Sequence, residues 1–310
     1  MKRIASIDIG TNTVLLLIAE TDGKTLRSLH SEQRIPRLGK QVDANRKLHP
    51  DSINRVLEAL MEYRFIIDRH KVDDVVVTAT SAVRDAANAT AFVKQVKLET
   101  GFKVQVITGE MEALTTWNGA LSVFSDANRP ARATVIDIGG GSTEFVTGLA
   151  SEAPEAAQSL DMGAVRYTER YFNAGFTPES IAEAETAALA LLQNLAIAER
   201  FSGSTLTGVA GTVTSLASMM LDQKTFNPAP INGYTIALQE IETWFEKSVS
   251  LGTTGLIQAY PAVMKGRADV FPAGLLILKT AMKHLGFDAL TVSCGGIREG
   301  AVLFRYLTRL

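Results

Sequence analysis

The segment Ser6-Ile7-Asp8-Ile9-Gly10 returns as Val135-Ile136-Asp137-Ile138-Gly139, 129 positions further along the chain. Each copy sets an aspartate among branched apolar residues, follows it with Ile-Gly and small polar residues, and resumes as an apolar run. That run is Val14-Leu15-Leu16-Leu17-Ile18 in the first copy and Phe145-Val146 in the second. Nearly continuous apolar character on both sides of a polar turn predicts strand, turn, strand, covered on both faces. A unit of that size repeated about one domain apart predicts two domains of one plan.

An aspartate inside an apolar strand is costly unless it is paired, hydrogen-bonded or bound to a cation. Asp8 and Asp137 could each cap their own turn, as aspartate commonly does. The alternative is that Gly10-Thr11-Asn12-Thr13 and Gly139-Gly140-Gly141-Ser142-Thr143 present N–H groups and hydroxyls to phosphate oxygens, glycine allowing the close approach. Asp8 and Asp137 facing each other over a cleft would repel, and a divalent cation, Mg²⁺ with retained waters, relieves that while neutralising phosphate.

The rest of the chain predicts an α/β fold. After a third extended stretch over 25–35, apolar residues at three- and four-residue spacing from His49 predict a helix of about five turns. Strands follow at 72–80 and 102–107, separated by a helix over 88–100 closed by Gly101. The second half predicts helices at 163–172, 178–200, 237–250, 269–284 and 298–310, with strands at 205–209 and 289–293. The loop-like run Ser125 to Pro130 predicts the join, giving domains 1–125 and 126–310, with the last helix free to pack back on the first domain.

Composition narrows the function. With 310 residues, 31 Lys+Arg against 33 Asp+Glu and a formal net charge of −2, attraction to nucleic acid or an anionic membrane is not written into the whole molecule. An anionic ligand must be held locally. The single cysteine, Cys294, can form neither an intrachain disulfide nor a structural zinc set, which fits a reducing compartment. No apolar run reaches the length of a membrane span, so a cytoplasmic protein is expected.

A third glycine element, Gly208 to Thr214, follows a strand and opens a helix, so Gly211 and Thr212 could receive another anion. Neither a Gly-x-x-x-x-Gly-Lys-Ser/Thr loop nor a Gly-x-Gly-x-x-Gly fingerprint is present. The histidines at 30, 49, 70 and 284 lack metal-ligand spacing and read as surface or packing residues.

Six segments in order then resemble one family: Ile7 to Thr13, Ala79-Thr80-Ser81-Ala82-Val83-Arg84-Asp85-Ala86, Thr108-Gly109-Glu110-Met111-Glu112-Ala113, Ile136 to Glu144, Gly208 to Thr214, and Ser293 to Gly300. Together they are similar to the exopolyphosphatase/guanosine pentaphosphate phosphohydrolase (Ppx/GppA) family of the actin, hexokinase and Hsp70 superfamily. The resemblance implies two ribonuclease-H-like domains with the active site in an interdomain cleft, and Mg²⁺-dependent hydrolysis of a terminal phosphoanhydride.

On that resemblance Glu112 activates the attacking water and Arg84 faces the phosphates. Asp137 and Glu144, with Asp8, hold the metal, and Ser81 and Arg298 join the turn residues in binding phosphate. Arg34, Arg37, Lys40, Arg166 and Arg267 lie in or beside family-like segments and could line a polyanion channel. Met111, Leu114 and Asn232 stand where relatives usually carry Glu, Arg and His, which bears on substrate contacts. The chain stops at Leu310, without the further domains of long members, so short polyphosphate or small phosphorylated nucleotides are the expected preference. A homodimer is left open.

Polyphosphate is the leading substrate, with guanosine pentaphosphate as the alternative. An ATP-dependent sugar or carboxylate kinase would share the glycine turns, and a non-catalytic alarmone sensor would share the fold. Glu112 in its Gly-x-x-Glu-Ala setting suits a water nucleophile and favours the hydrolase.

Overall fold

The computed structural model describes residues 1–307. The chain divides into two compact units, one made of Met1–Ser122 and the stretch from Gly295 onward, the other of Val123–Cys294.

In the first unit β1 (Lys2–Ile9), β2 (Val14–Thr21) and β3 (Leu26–Arg34) run antiparallel, and β1 continues in parallel to β4 (Asp74–Ala79) and then β5 (Val104–Val106). The sheet order is β3-β2-β1-β4-β5. Helices α1 (Val42–Asn45) and α2 (Pro50–Arg69) lie between β3 and β4, and α3 (Ser81–Arg84) and α4 (Ala89–Thr100) between β4 and β5. After β5 comes α5 (Gly109–Ser122).

Strand alternation sorts the sheet into two faces. Ala5, Ile7, Ile9, Leu16 and Ile18 pack with Val56, Leu60 and Tyr63 of α2 and Phe92 and Val96 of α4. On the other face Ile4, Leu17 and Ala19 pack against Val302 of the last helix, α12 (Ile297–Leu307). Asp8 alternates in step with Ile4 and Ser6, and so belongs to the α12 face. Gly101 ends α4 with φ 75°, the left-handed conformation that favours glycine.

The second unit repeats the plan. Strands β6 (Arg132–Ile138), β7 (Thr143–Leu149) and β8 (Ala156–Leu160) are antiparallel, β6 pairs in parallel with β9 (Thr205–Val209), and β9 pairs with β11 (Ala289–Val292). A short strand, β10 (Thr235–Ala237), adds to β11, giving the order β10-β11-β9-β6-β7-β8. Helices α6 (Ala164–Tyr171), α7 (Pro178–Leu192), α8 (Ala210–Met220), α9 (Leu238–Ala259), α10 (Pro261–Met264) and α11 (Phe271–Leu285) complete it. Ile136, Ile138 and Phe145 enter the core with Leu216 of α8 and Ile277 of α11, so Asp137 and Glu144 point from the opposite face.

Several boundaries differ from expectation. The helix predicted over 178–200 stops at Leu192, because Gln158 of β8 grips the chain beyond it. Its Nε2 donates to the Asn194 carbonyl at 3.1 Å, and its Oε1 accepts the Ala196 N–H at 2.9 Å. The helix predicted over 237–250 resumes past a break at Gly252, where φ 60° and ψ 179° interrupt α9. Strand β8 carried no alternation in Ala-Ala-Gln-Ser-Leu that would announce it. The two units divide between Ser122 and Val123, where the sequence suggested 125/126. Residues 295–307 lie with the first unit, and the last three positions of the helix expected over 298–310 fall outside the described residues.

Candidate active site

In the first unit the turn between β1 and β2 is clasped from one side. Gly39 N–H donates to the Thr11 carbonyl at 2.7 Å and Arg37 N–H to the Asn12 carbonyl at 3.1 Å, while Gly10 N–H closes the turn on Thr13 O at 2.9 Å. In a trans peptide the carbonyl and the following N–H point opposite ways. The Asn12 and Thr13 amides are therefore turned away from residues 37–39. A Cβ at Gly39 would lie 2.1 Å from Thr11 Cγ2, so only glycine lets this segment come so close.

Thr11 Oγ1 lies 2.8 Å from Ser81 Oγ, both side chains being buried. Ser81 opens α3 directly after β4, which pairs with β1, and this brings the second motif beside the first. At the end of α3, Arg84 Nη1 donates to the Ile107 carbonyl at 3.1 Å and to Glu112 Oε2 at 3.0 Å. Glu112 sits in the first turn of α5, only 9% exposed; Thr108 Oγ1 caps that turn by accepting the Met111 N–H at 3.2 Å. The helix dipole favours a carboxylate there. Thus Thr11, Ser81, Arg84 and Glu112, drawn from three distant motifs, are linked by contacts within one unit.

In the second unit the turn between β6 and β7 is held in the same manner. The first N–H groups of α6 reach it: Ala164 donates to Gly139 O at 2.9 Å, and Val165 and Arg166 to Gly140 O at 2.8 and 3.1 Å. Arg166 Nε takes the Gly141 carbonyl at 2.7 Å. With three successive carbonyls drawn to one side, the amides of Gly140, Gly141 and Ser142 point to the other, which is the arrangement of an anion-binding nest. A Cβ at Gly163 would lie 2.5 Å from the Gly140 backbone. Thr143 Oγ1 donates to Met162 O at 2.6 Å, so its hydroxyl proton is taken by the segment that leads into α6.

Asp137 and Glu144 are register partners on adjacent strands, and Glu144 in turn faces Ser159 of β8, whose Oγ donates to Glu144 Oε1 at 2.7 Å. Glu144 is 1% exposed. Ser159 was missed by the sequence reading because its strand was. No group of three or more His, Cys, Asp and Glu residues is placed to hold a metal among the described residues. A Mg²⁺ ion that arrives with phosphate needs only one or two protein carboxylates, its remaining positions going to phosphate oxygens and water. The Asp137–Glu144 pair fits that demand, and Asp8 stands in the first unit.

The third glycine turn is built differently. Ala210, the first residue of α8, has φ 66°, a left-handed conformation uncommon for a residue with a Cβ. Arg267 Nη1 binds the Gly211 carbonyl at 3.3 Å and Ser215 Oγ at 3.0 Å, and burial pushes its pKa down. Thr212 packs against α11 at Gly274, where a Cβ would lie 2.3 Å from Thr212 Oγ1.

The remaining cations have local duties. Arg34 is bonded to Glu62 and Glu32, and Arg298 donates to Ser31 Oγ at 3.1 Å. Arg37 contributes the backbone clasp described above, while Lys40 is exposed and hydrogen-bonds through its own N–H to Arg37 O. Among the histidines, His49 caps α2 by accepting the Asp51 N–H, and the rings of His30 and His70 meet at a tilt with centroids 5.1 Å apart.

Three antiparallel strands extended by two parallel ones recur in both units, the topology of a ribonuclease-H-like fold. A family model described as the Ppx/GppA phosphatase family matches residues 17–309. The chain belongs to that family. It is 33% identical over 313 residues to a bifunctional 3-dehydroquinate synthase/phosphatase of Fusobacterium nucleatum, a match covering 96% of this chain and 46% of that protein. It is 32% identical over 320 residues to exopolyphosphatase 2 of Mycobacterium tuberculosis, covering 98% of each. The crystal structure of the Aquifex aeolicus Ppx/GppA family member superposes with a TM-score of 0.81 at 31% identity, over 99% of this chain and 98% of the other.

Proposed function

We propose that this chain is a phosphoanhydride hydrolase that releases terminal phosphate from inorganic polyphosphate with the help of Mg²⁺. The observation that carries this reading is the Arg84–Glu112 pair, a guanidinium and a nearly buried carboxylate 3.0 Å apart at the mouth of a helix. Phosphoryl transfer to water asks little covalent chemistry of the protein. It needs an oriented water and cations or N–H groups aimed at the equatorial oxygens.

Glu112 accepts the proton of the attacking water at Oε1 or Oε2. Arg84 can offer a guanidinium N–H to a phosphate oxygen, a charge-assisted bond. In the first unit the outward amides of Asn12 and Thr13, and in the second those of Gly140, Gly141 and Ser142, are each turned to receive phosphate oxygens. Asp137 and Glu144 would hold Mg²⁺, which when bound neutralises phosphate charge; Asp8 is the corresponding strand aspartate of the first unit. The fit of the family and the relation to an exopolyphosphatase over 98% of both chains support polyphosphate as substrate.

Phosphate release with Mg²⁺ is to be measured over long and short polyphosphate, pyrophosphate, guanosine pentaphosphate and ATP, with and without an acceptor alcohol. Polyphosphate turnover with phosphate appearing free in solution is expected. Glu112→Gln should lose on the order of 10²–10⁴ of the rate while still folded. Transfer to the acceptor, or full activity of a folded Glu112→Gln protein, contradicts the proposal.

A further inference from the structure

We infer that α12 is the rail on which Glu112 is aligned, and that Gly300 and Gly119 are positioning residues for the hydrolytic step. The inference rests on the reading of Glu112 as the base, and names what holds that base in place.

Helix α12 is fastened to the sheet of the first unit along its length. Val302 packs on Ile4, Leu17 and Ala19, Arg298 Nη1 reaches Ser31 Oγ on β3 at 3.1 Å, and Arg305 Nε reaches Asp74 Oδ2 on β4 at 2.5 Å. Its start is pinned by Glu299, itself buried, whose Oε2 accepts the Gly296 N–H at 2.9 Å. Helix α5 then leans on α12 with no side chain between the backbones. A Cβ at Gly300 would fall 1.8 Å from the Thr115 carbonyl oxygen, and one at Gly119 would fall 1.7 Å from the Gly296 carbonyl oxygen.

Glu112, Thr115 and Gly119 follow one another at three and four residues along α5, hence along one side of the helix. The contact at Thr115 is one turn from the carboxylate. An added methyl at either glycine needs more than an ångström of extra separation. Because α12 is tied to β3 and β4, α5 is the helix that yields, and it carries Glu112 with it. A displacement of about 1 Å is enough to cost on the order of 10²-fold in an aligned attack.

The test uses the whole protein, measuring kcat and KM for phosphate release by Gly300→Ala and Gly119→Ala, each alone and combined with Glu112→Gln. The expected result is a kcat lowered on the order of 10²-fold with KM within about twofold, and no further loss when the glycine change is added to Glu112→Gln. Unchanged kcat in a folded glycine variant overturns the inference. So does a loss that multiplies in full on the Gln background, since the damage then lies elsewhere than at the base.

Should the alanine variants not fold, Glu299→Ala removes the pin of α12 without adding an atom. A smaller kcat loss, absent on the Gln background, supports the rail, and unaltered kcat removes it. Normal turnover by Glu112→Gln would instead strike at the base itself, whereas an impaired Glu112→Gln beside an unimpaired Gly300→Ala removes the rail alone.

Discussion

Glu112 illustrates what a single residue does and does not announce. A carboxylate in a helix's first turn is commonly a solvated group favoured by the dipole. Burial to 9% exposure and a guanidinium at 3.0 Å set this one apart, and neither is visible in Gly-x-x-Glu-Ala alone. His70 carries a residue-scale prediction of another kind. Its pKa is lowered, first by desolvation and then by the charges of His30, Arg3 and Arg69. The unfolded chain therefore binds the proton more readily than the folded one below the ordinary histidine value of 6.5. The stabilising contribution is whole above that pH and declines as pH falls through it. Melting temperature measured against pH should drop more steeply below 6.5 in the parent than in His70→Gln. Parallel curves would contradict this.

At the scale of elements, the Gly-rich turns are rigid because their carbonyls are occupied. The loop at 37–39 does this for the first turn and the start of α6 for the second. Gly163→Ala places a methyl 2.5 Å from the Gly140 backbone, so it should spread the second turn from α6. The expected outcome is a raised KM for polyphosphate and weaker inhibition by product phosphate, read from steady-state kinetics on a folded variant; an unaltered KM would sink this account of the turn. Helix α7 offers a structural counterpart. Thr177 and Ser180 form a reciprocal capping box, and Thr177→Ala should cost about 1 kcal/mol in denaturant unfolding while leaving kcat alone. The elements the sequence announced well were those with strong periodicity or a capping residue, such as α2, β4 and α4 closed by Gly101. Those it missed, β8 and the end of α7, depend on partners. Strand β8 exists because β7 pairs with it, and α7 ends where Gln158 takes the backbone beyond it.

For the whole molecule, ligand binding is linked to folding and is read in the melting temperature. A Mg²⁺–polyphosphate complex at about 100 times its Kd should stabilise the protein by about 2.7 kcal/mol. Thr11→Val in the first unit and Ser142→Ala in the second should each reduce the resulting rise in melting temperature, and a variant that leaves it intact shows that the hydroxyl removed takes no part in binding, its turn's amides being untouched. Much of this was legible beforehand. The 129-residue repeat specified two units of one plan, because an aspartate between branched apolar residues and a glycine turn is costly to keep twice without a use. Apolar periodicity specified most strands and helices, because it is a local property of the chain. Tertiary structure alone decided that Ser159 meets Glu144, that Arg166 braces the Gly141 carbonyl while Arg298 turns to Ser31, and that α12 packs bare-backboned against α5. Such pairings are set by which surfaces meet after the sheets have formed, and residues far apart in sequence carry no local record of the distance at which they will come to rest.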